Sequence, residues 1–596
     1  MKKNNLWMLA AILFSSLVAI SFTACSRDDV DDDDEVETII DYSKSMNMPW
    51  EQYGAENITI VDSGTIAFRD VCQNTIAHET AQNDDADTIL VNYAKFLIDS
   101  IARYEQHVND SLQAVSGENS LLDYVLALKW YTFTYPSVSV TGEPINLSAL
   151  FVYPYELKSK RLTNYYIGTH VTITSNSQCP SNFTKNNFAS DVGMLAIFAH
   201  ILFNHGYVVI PDYEGYGETK GRPHPYLNRE VTAKQVIDGA KAGMMHIQHL
   251  ANLDKDMQLH EKWKAVSVGY SQGGATAAAT YRYAQEHPDE CSSLRMAGAV
   301  CGDGPYDPVA TLNNYISEGK VFMPVAVALM LKGMCDTDPD MRSLGCRVED
   351  FCTPGFVNTG IFNSIANKTK TTDDIAKDLL DYSYNHDDFH MTRILEKEGH
   401  IQIEEYTKMN YELKGVPQGM TWLGGVRNTW CNIDQMLNEE CIAFFKTGAV
   451  KDNTMRKKFR ALSKCMKRNR LFYGTNGDWL PPSRSKFTFF HSKTDEVVPH
   501  VNMTSVRDVW GPNAACYIGF EFKSNWLQKA LAKLSDKAAA PLKKDWGTHV
   551  QCGTLLFLGK SRDLADKITG PGWVGGEYND EDLGALTYIA SMFADI

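Results

Sequence analysis

Few short segments dictate as much of a fold as Gly269-Tyr270-Ser271-Gln272-Gly273. Ahead of it runs the apolar stretch Trp263-Lys264-Ala265-Val266-Ser267-Val268, which reads as a buried strand, and behind it run the small residues Gly274-Ala275-Thr276-Ala277-Ala278-Ala279, which read as a helix. A serine where strand turns sharply into helix takes a strained backbone conformation, and a glycine two positions to either side lets the neighbouring backbones approach. The small residues then allow the helix to pack close to the sheet. This is the G-x-S-x-G nucleophile elbow in the context that gives it meaning, with Ser271 as the candidate nucleophile.

The surrounding pattern agrees. Strand-like runs alternate with helical ones: Asn164 to Gly168, Ala189 to His205 (helical), Tyr207 to Pro211, Thr232 to Leu250 (helical), Ala265 to Gly269, Gly274 to Glu286 (helical) and Met296 to Cys301. Such alternation predicts a mainly parallel sheet covered by helices on both faces. Upstream, Trp130 to Tyr135 and Asn146 to Pro154 flank Val140-Thr141-Gly142-Glu143-Pro144 as a hairpin. Between 309 and 485 mostly helical segments take over, such as Phe322 to Met334 and Ile433 to Phe445, and these read as a large cap inserted into the α/β body. Lys486 to His491 restores the strand pattern, and two further helical segments follow. The expected organisation is a signal segment at 1–24, an acidic tether at 25–45 and a helical extension at 46–130, in which Thr88 to Asn109 and Leu121 to Tyr131 have helical periodicity. The α/β body then occupies 131–308 and 486–596, with the cap at 309–485.

A nucleophilic serine needs a base to take its proton and a carboxylate to fix the tautomer of that base. Hydrolases built on this elbow carry the three in the order serine, acid, histidine. Past the restored strand stands His491-Ser492-Lys493-Thr494-Asp495-Glu496-Val497-Val498-Pro499, which puts Asp495 in a loop after a strand and makes it the candidate acid. Only His500 and His549 follow it. His500 starts the next helical run five residues on, poorly placed to reach both partners, so His549 in Trp546-Gly547-Thr548-His549-Val550 is the candidate base. Two N–H donors must hold the oxyanion, one from the residue after the nucleophile and one from the loop after the third strand of the body. Gln272 supplies the first. The second is expected within Thr169-His170-Val171-Thr172, from Val171 with Thr172 close behind, although the loop lacks an HGGG pattern.

The same stretches resemble a known family. Gly206-Tyr207-Val208-Val209-Ile210-Pro211-Asp212-Tyr213-Glu214-Gly215-Tyr216-Gly217, His224-Pro225-Tyr226-Leu227, the elbow with Gly274, and Tyr283-Ala284-Gln285-Glu286-His287-Pro288 are similar to the secretory lipase branch of the α/β-hydrolases. The resemblance covers roughly residues 130 to 308 and 486 to 555, and implies an α/β-hydrolase fold and an acyl-serine ester hydrolase with a helical lid inserted before the acid. Departures from the family pattern are the long N-terminal extension, the size of the cap and the long stretch between Asp495 and His549.

Compartment is written in the first forty residues. Met1-Lys2-Lys3, an apolar run from Leu6 to Ile20 and Ser21-Phe22-Thr23-Ala24-Cys25 follow the order of an export signal. A small residue just before a cysteine after such a run resembles a bacterial lipobox, with Cys25 as the lipidation site and Phe22 in place of the usual leucine. Residues 26 to 37 then carry eight carboxylates against one guanidinium, a self-repelling tether that resembles the signal for the outer face of the outer membrane. A net charge of −16 with no cluster of Lys and Arg excludes a general nucleic-acid binder, and a mean hydropathy of −0.29 excludes a polytopic membrane protein. Setting Cys25 aside leaves twelve cysteines, six inside the cap and six outside, and separate disulfide sets in body and cap are expected for an exported chain.

Other features are open to two readings. His386 and His390 are spaced to face one way on a helix, but with no third ligand in view no metal is expected, and the chemistry needs no cofactor. Phe322 to Leu331 reads as the cap's own core or as the lining of an acyl tunnel, and Asp303 to Asp307 as part of the pocket rim or the joint to the cap. The expected activity is hydrolysis of a carboxylic ester, small or attached to a polysaccharide as an acetyl or feruloyl group. Competing classes are a serine peptidase on the same fold and a non-catalytic surface binding protein. The only membrane contact expected is the lipid anchor; oligomeric state is not legible.

Overall fold

A computed structural model of the chain describes residues 58–82, scattered positions between 95 and 110, and residues 126–155, 160–183, 201–202, 205–255, 257–397, 400–406, 429–520, 549, 558–570 and 573–579. The expectations for Cys25, the signal segment and the tether lie outside the described residues, as does most of the helical run expected at Ala189 to His205.

One sheet organises the body. Its strands in chain order are β1 (Thr59–Ala67), β2 (Ala127–Val138), β3 (Pro144–Tyr155), β4 (Tyr165–Thr169), β5 (Tyr207–Pro211), β6 (Ala265–Tyr270), β7 (Met296–Gly302), β8 (Phe487–Ser492), β9 (Cys516–Phe520) and β10 (Gly576–Asn579). They lie side by side as β1-β2-β3-β5-β4-β6-β7-β8-β9-β10. The pairs from β1 through to β5 are antiparallel, and every pair beyond β5 is parallel. From β4 the chain crosses to β5 on one side and later to β6 on the other. In such sheets a crevice opens at the carboxyl ends of the strands flanking that reversal, and those ends carry the candidate site.

Alternation along the strands decides the layers. Tyr165 and Ile167 of β4 and Tyr207 and Val209 of β5 join one core cluster, while Tyr166, Val208 and Ile210 join another. The first cluster packs on the helix α2 (Arg229–Leu253), through Val236 and Ala240, and on α3 (Gln272–Glu286), through Tyr283. The second packs on α1 (Phe68–Gln82), through Phe68 and Val71, and on the helix Leu558–Thr569, through Leu564 and Ile568. Each apolar side chain taken wholly from water adds about 1.5–3 kcal/mol, so a one-residue slip of any central strand is excluded by cost.

The hairpin forms where expected. Ser139 turns the chain by accepting the amides of Thr141 and Glu143 on its hydroxyl, and Val138 pairs with Pro144. The N-terminal extension departs from expectation. Thr59–Ala67 is an edge strand whose first five residues are exposed, and β2 begins at Ala127, so the helical reading of Leu121 to Tyr131 fails over its last five residues. Leu128 and Trp130 suit either period, and pairing with β1 and β3 on both sides decides for the strand. At the far edge β9 and β10 extend the sheet beyond the last strand expected.

The cap is mostly helical, but it also holds a four-stranded antiparallel sheet, in the order Lys320–Val321, Thr429–Asn432, Met391–Lys397 and His400–Tyr406. The run Ile433 to Phe445 is two helices, broken where Asn438 caps the second by accepting the amide of Cys441. Val325, Leu329 and Leu331 lie in the cap's own core, which favours the plainer of the two readings for that segment. The first cap helix, α4 (Pro308–Glu318), is tied to the body through Asn502 of α5 (Val501–Trp510), which accepts the Asp307 amide at 2.9 Å and donates to the Thr311 hydroxyl at 2.9 Å.

Among the described residues the expected disulfide sets are not found. Cys72 and every cysteine from Cys291 to Cys516 are buried free thiols. They fill the core as small apolar groups, and an even count says nothing about which sulfurs meet. Among the described residues no helix is long and apolar enough to cross a membrane.

Candidate active site

Ser271 follows directly on β6 with φ 57° and ψ −126°, a conformation that costs a non-glycine residue about 1–3 kcal/mol and persists only where its surroundings hold it. They do. The Ser271 amide donates to the Gly302 carbonyl at the end of β7, and its own carbonyl accepts the amides of Gly274 and Ala275 as α3 begins. Both flanking glycines are required by close approach. A Cβ on Gly269 would sit 2.3 Å from the Gly273 carbonyl oxygen, and one on Gly273 would sit 2.1 Å from the Thr169 carbonyl oxygen.

Asp495 and His549 converge on that serine. His549 Nε2 lies 3.1 Å from Ser271 Oγ, and Nδ1 lies 2.6 Å from Asp495 Oδ2. The other carboxylate oxygen, Oδ1, accepts the amides of Val497 and Val498 at 2.8 and 2.7 Å, which fixes the carboxylate by the loop's own backbone. An ionised Asp495 can only accept, so Nδ1 carries the hydrogen and Nε2 is left with a lone pair toward the serine. Burial by itself pushes the His549 pKa down; the adjacent Asp495 carboxylate outweighs it and raises it to about 9. His500 stays apart, at the start of α5, with its ring 5.6 Å from that of His491, as the sequence leads one to expect.

The expected oxyanion donors come from two neighbouring strand ends. Gln272 opens α3, whose first amides have no acceptor within the helix, and its side chain is held by donation to His224 Nε2 at 3.2 Å. His224 can accept there because its Nδ1–H donates to the Glu214 carbonyl, and burial lowers its pKa to about 3, leaving the ring neutral. Across from Gln272, the chain leaving β4 presses on α3 through the carbonyls of Thr169 and His170. His170 folds this loop by donating from Nδ1 to the Val171 carbonyl, and the Thr172 hydroxyl lies 3.0 Å from that of Tyr226. Val171 and Thr172 thus stand on a pinned loop beside the start of α3.

Two neighbours escaped sequence reasoning, and a third, Asp303, lies deeper than the rim position expected of it. Glu496 accepts the His549 amide at 3.3 Å, and the Tyr270 hydroxyl reaches both Asp303 Oδ2 and the His549 carbonyl oxygen. Tyr270 lies inside the elbow, and nothing in its sequence position marks its ring as a partner of a residue 279 positions away. Asp303 stands at the end of β7, fully buried beside the site and not at a rim. Among the described residues, Asp303, His491 and Asp495 bring one donor atom each within 4.8 Å of one another. Their oxygens are largely occupied by protein hydrogens: Asp495 holds two amides and His549, and Asp303 Oδ1 holds the Ser492 amide. That leaves too few donors for a hard cation. The His386 and His390 pair loses its helical register, because the helix Thr372–Asn385 ends before it and His386 stacks on Tyr382 instead.

Comparison with known proteins agrees with this fold. Residues 178–368 match the secretory lipase family model. Among solved structures, the rice cell wall degrading esterase LipA from Xanthomonas oryzae is similar, with TM-score 0.52, 16% identity, and 85% of this chain and 98% of that chain covered. A putative hydrolase from Legionella pneumophila is similar at TM-score 0.50 and 14% identity, covering 86% of this chain and 99% of that chain. No curated protein matches. The fold is that of an α/β-hydrolase resembling the secretory lipases, and the family match supports carboxylic ester hydrolysis.

Proposed function

We propose that this α/β-hydrolase is a serine carboxylic ester hydrolase that works through Ser271, His549 and Asp495 and an acyl-enzyme, held at the bacterial outer membrane by a lipid on Cys25. The observation that carries the chemistry is the chain of contacts from Asp495 Oδ2 through His549 to Ser271 Oγ, at 2.6 and 3.1 Å. His549 Nε2 takes the Ser271 proton as Oγ attacks the ester carbonyl. The amides of Gln272 and, on the loop after β4, Val171 or Thr172 hold the developing oxyanion. The imidazolium then gives its proton to the departing alcohol oxygen, leaving Ser271 acylated. Water, deprotonated by His549 in turn, attacks the acyl carbon, and the serine leaves with the proton. Asp495 keeps Nδ1 protonated and balances the imidazolium throughout.

An ester of short or medium acyl chain suits a capped site. Esters carried on a cell-wall polymer are the second reading, favoured by the fold shared with an esterase described as degrading rice cell wall. Hydrolysis of p-nitrophenyl esters, acetylated and feruloylated xylan, and aminoacyl p-nitroanilides by the mature protein and by Ser271→Ala decides among these. Esters are expected to be cleaved and the alanine variant to lose at least about a thousandfold in kcat. Equal rates for the two proteins remove Ser271 as nucleophile, and cleavage of anilides alone makes the enzyme a peptidase. Palmitate labelling that persists in Cys25→Ser removes the anchor.

A further inference from the structure

The Tyr270 hydroxyl has one hydrogen and two oxygens to satisfy. One is Asp303 Oδ2; the other is the carbonyl oxygen of His549, 2.5 Å away. A carbonyl oxygen cannot donate. Were Asp303 ionised, the phenol would have to leave one of two close acceptors facing its own lone pairs, in a site where all three residues are buried. A second hydrogen removes the conflict, and of the three groups only the carboxyl can carry it. We propose that Asp303 is a positioning residue for the base: it is held as a neutral carboxylic acid donating to the Tyr270 hydroxyl, whose own hydrogen is thereby committed to the His549 carbonyl. The inference rests on His549 being the base of the proposed reaction.

The hydrogen bonds around Asp303 fit this assignment. Its Oδ1 accepts the Ser492 amide at 2.7 Å, a contact a neutral carboxyl keeps through its carbonyl oxygen. His491 Nε2 must donate to the Val498 carbonyl 2.9 Å away, and its Nδ1, 3.8 Å from Asp303 Oδ1, is too far to donate. His491 therefore supplies no hydrogen bond that would hold Asp303 ionised. Asp495 already provides the anion that the base needs. Burial, the largest influence, raises the Asp303 pKa and the nearby Asp495 carboxylate raises it further, against the pull of the two imidazoles and of a hydrogen bond from Tyr270. A second buried carboxylate here would also stabilise the His549 imidazolium and keep the base from accepting the serine proton. Neutrality of Asp303 avoids that while its proton turns the Tyr270 hydroxyl toward the His549 carbonyl.

Infrared difference spectroscopy on the resting protein at neutral pH reads the proton without any turnover. A protonated-carboxyl stretch that shifts in D2O and vanishes in Asp303→Asn is expected. Tyr270→Phe, which removes the acceptor of that proton, should move the band, and serves if Asp303→Asn does not fold. Absence of the band, or a band indifferent to both variants, overturns the proposal. In turnover, Asp303→Ala should lower kcat about five- to tenfold with KM little changed, as loss of one buried hydrogen bond predicts. Asp303→Asn, a neutral donor of the same shape, should restore most of that loss with the acid-limb midpoint of kcat/KM unmoved. A midpoint that falls in Asp303→Asn means a negative charge was removed, and also overturns it. Because the band is read on unreacted enzyme, failure of the esterase reading and failure of this one are distinguishable.

Discussion

The hydroxyl of Tyr315, on the first cap helix, donates to the carbonyl oxygen of Val497, two residues beyond Asp495. Val497 also gives its amide to Asp495 Oδ1, so a single residue receives the cap on one side and orients the acid on the other. The cap and the proposed catalytic acid are in this way one mechanical unit, and the joint between α4 and Asn502 of α5 reinforces it. Tyr315→Phe leaves a buried carbonyl without its donor and should cost about 1–3 kcal/mol of stability. Its kcat should fall by more than the folded fraction explains, because the carboxylate loses part of its support. A variant that melts earlier with an unchanged kcat would mean the tie is structural only.

Gly273 offers a sharper test of the elbow. A Cβ there would sit 2.1 Å from the Thr169 carbonyl oxygen and 2.8 Å from that of His170, both backbone atoms with nowhere to rotate. Gly273→Ala must therefore push α3 away from the loop after β4, separating the Gln272 amide from Val171. Overpacking of this kind costs about 1–3 kcal/mol in stability. A displacement of an ångström between reacting groups costs about 100-fold in rate, so kcat should fall far more than stability. Wild-type turnover in a folded Gly273→Ala would show that the oxyanion is held elsewhere.

Much of this site was legible in the chain because its signals are local or are settled by order. Ser271 stands in a pentapeptide whose glycines answer to steric need, and His549 emerges because only two histidines follow Asp495 and the other begins a helix. The roles of Tyr270 and Asp303 were not legible, since they exist only once β6, β7 and the His549 segment meet. Strand β1 escaped for a different reason: exposed along most of its length at the sheet edge, it shows no apolar alternation and gains its identity from pairing with β2. The run from Leu121 misled because its apolar spacing fits two periods, and only the partners on either side choose between them.

Cysteine parity misled outright, and the correction is measurable. Burial pushes the Cys346 thiol up to about 11 and those of Cys72, Cys291, Cys441 and Cys516 up to about 12. Thiols so placed hold little thiolate at neutral pH and should react slowly with a disulfide reagent in the native protein. Unfolding without reductant should release at least ten titratable thiols, Cys72 and the nine from Cys291 to Cys516. A markedly lower count would mean that some of these sulfurs are bonded in the mature protein.

The pH dependence of rate and of stability should run in opposite directions, because both pass through His549. Burial disfavours its charged form, but the Asp495 carboxylate prevails and raises the pKa to about 9. As a base the imidazole must be neutral, so kcat/KM should rise with pH along an acid limb whose midpoint lies above the ordinary histidine value of about 6.5. A neutral Asp303 places that midpoint nearer the lower end of the window than an ionised one would. For folding the sign reverses. The native state binds the proton more tightly than the unfolded chain, so this contribution to stability is fully present below about pH 6.5 and is lost as pH rises through the native value. Melting temperatures and kcat/KM measured on the same samples should cross over this interval, the first falling as the second climbs. His549→Gln should abolish turnover and remove this group's share of the stability slope. An acid limb centred well below 6.5, or an unchanged stability slope in the glutamine variant, would show that the ion pair with Asp495 does not govern the base.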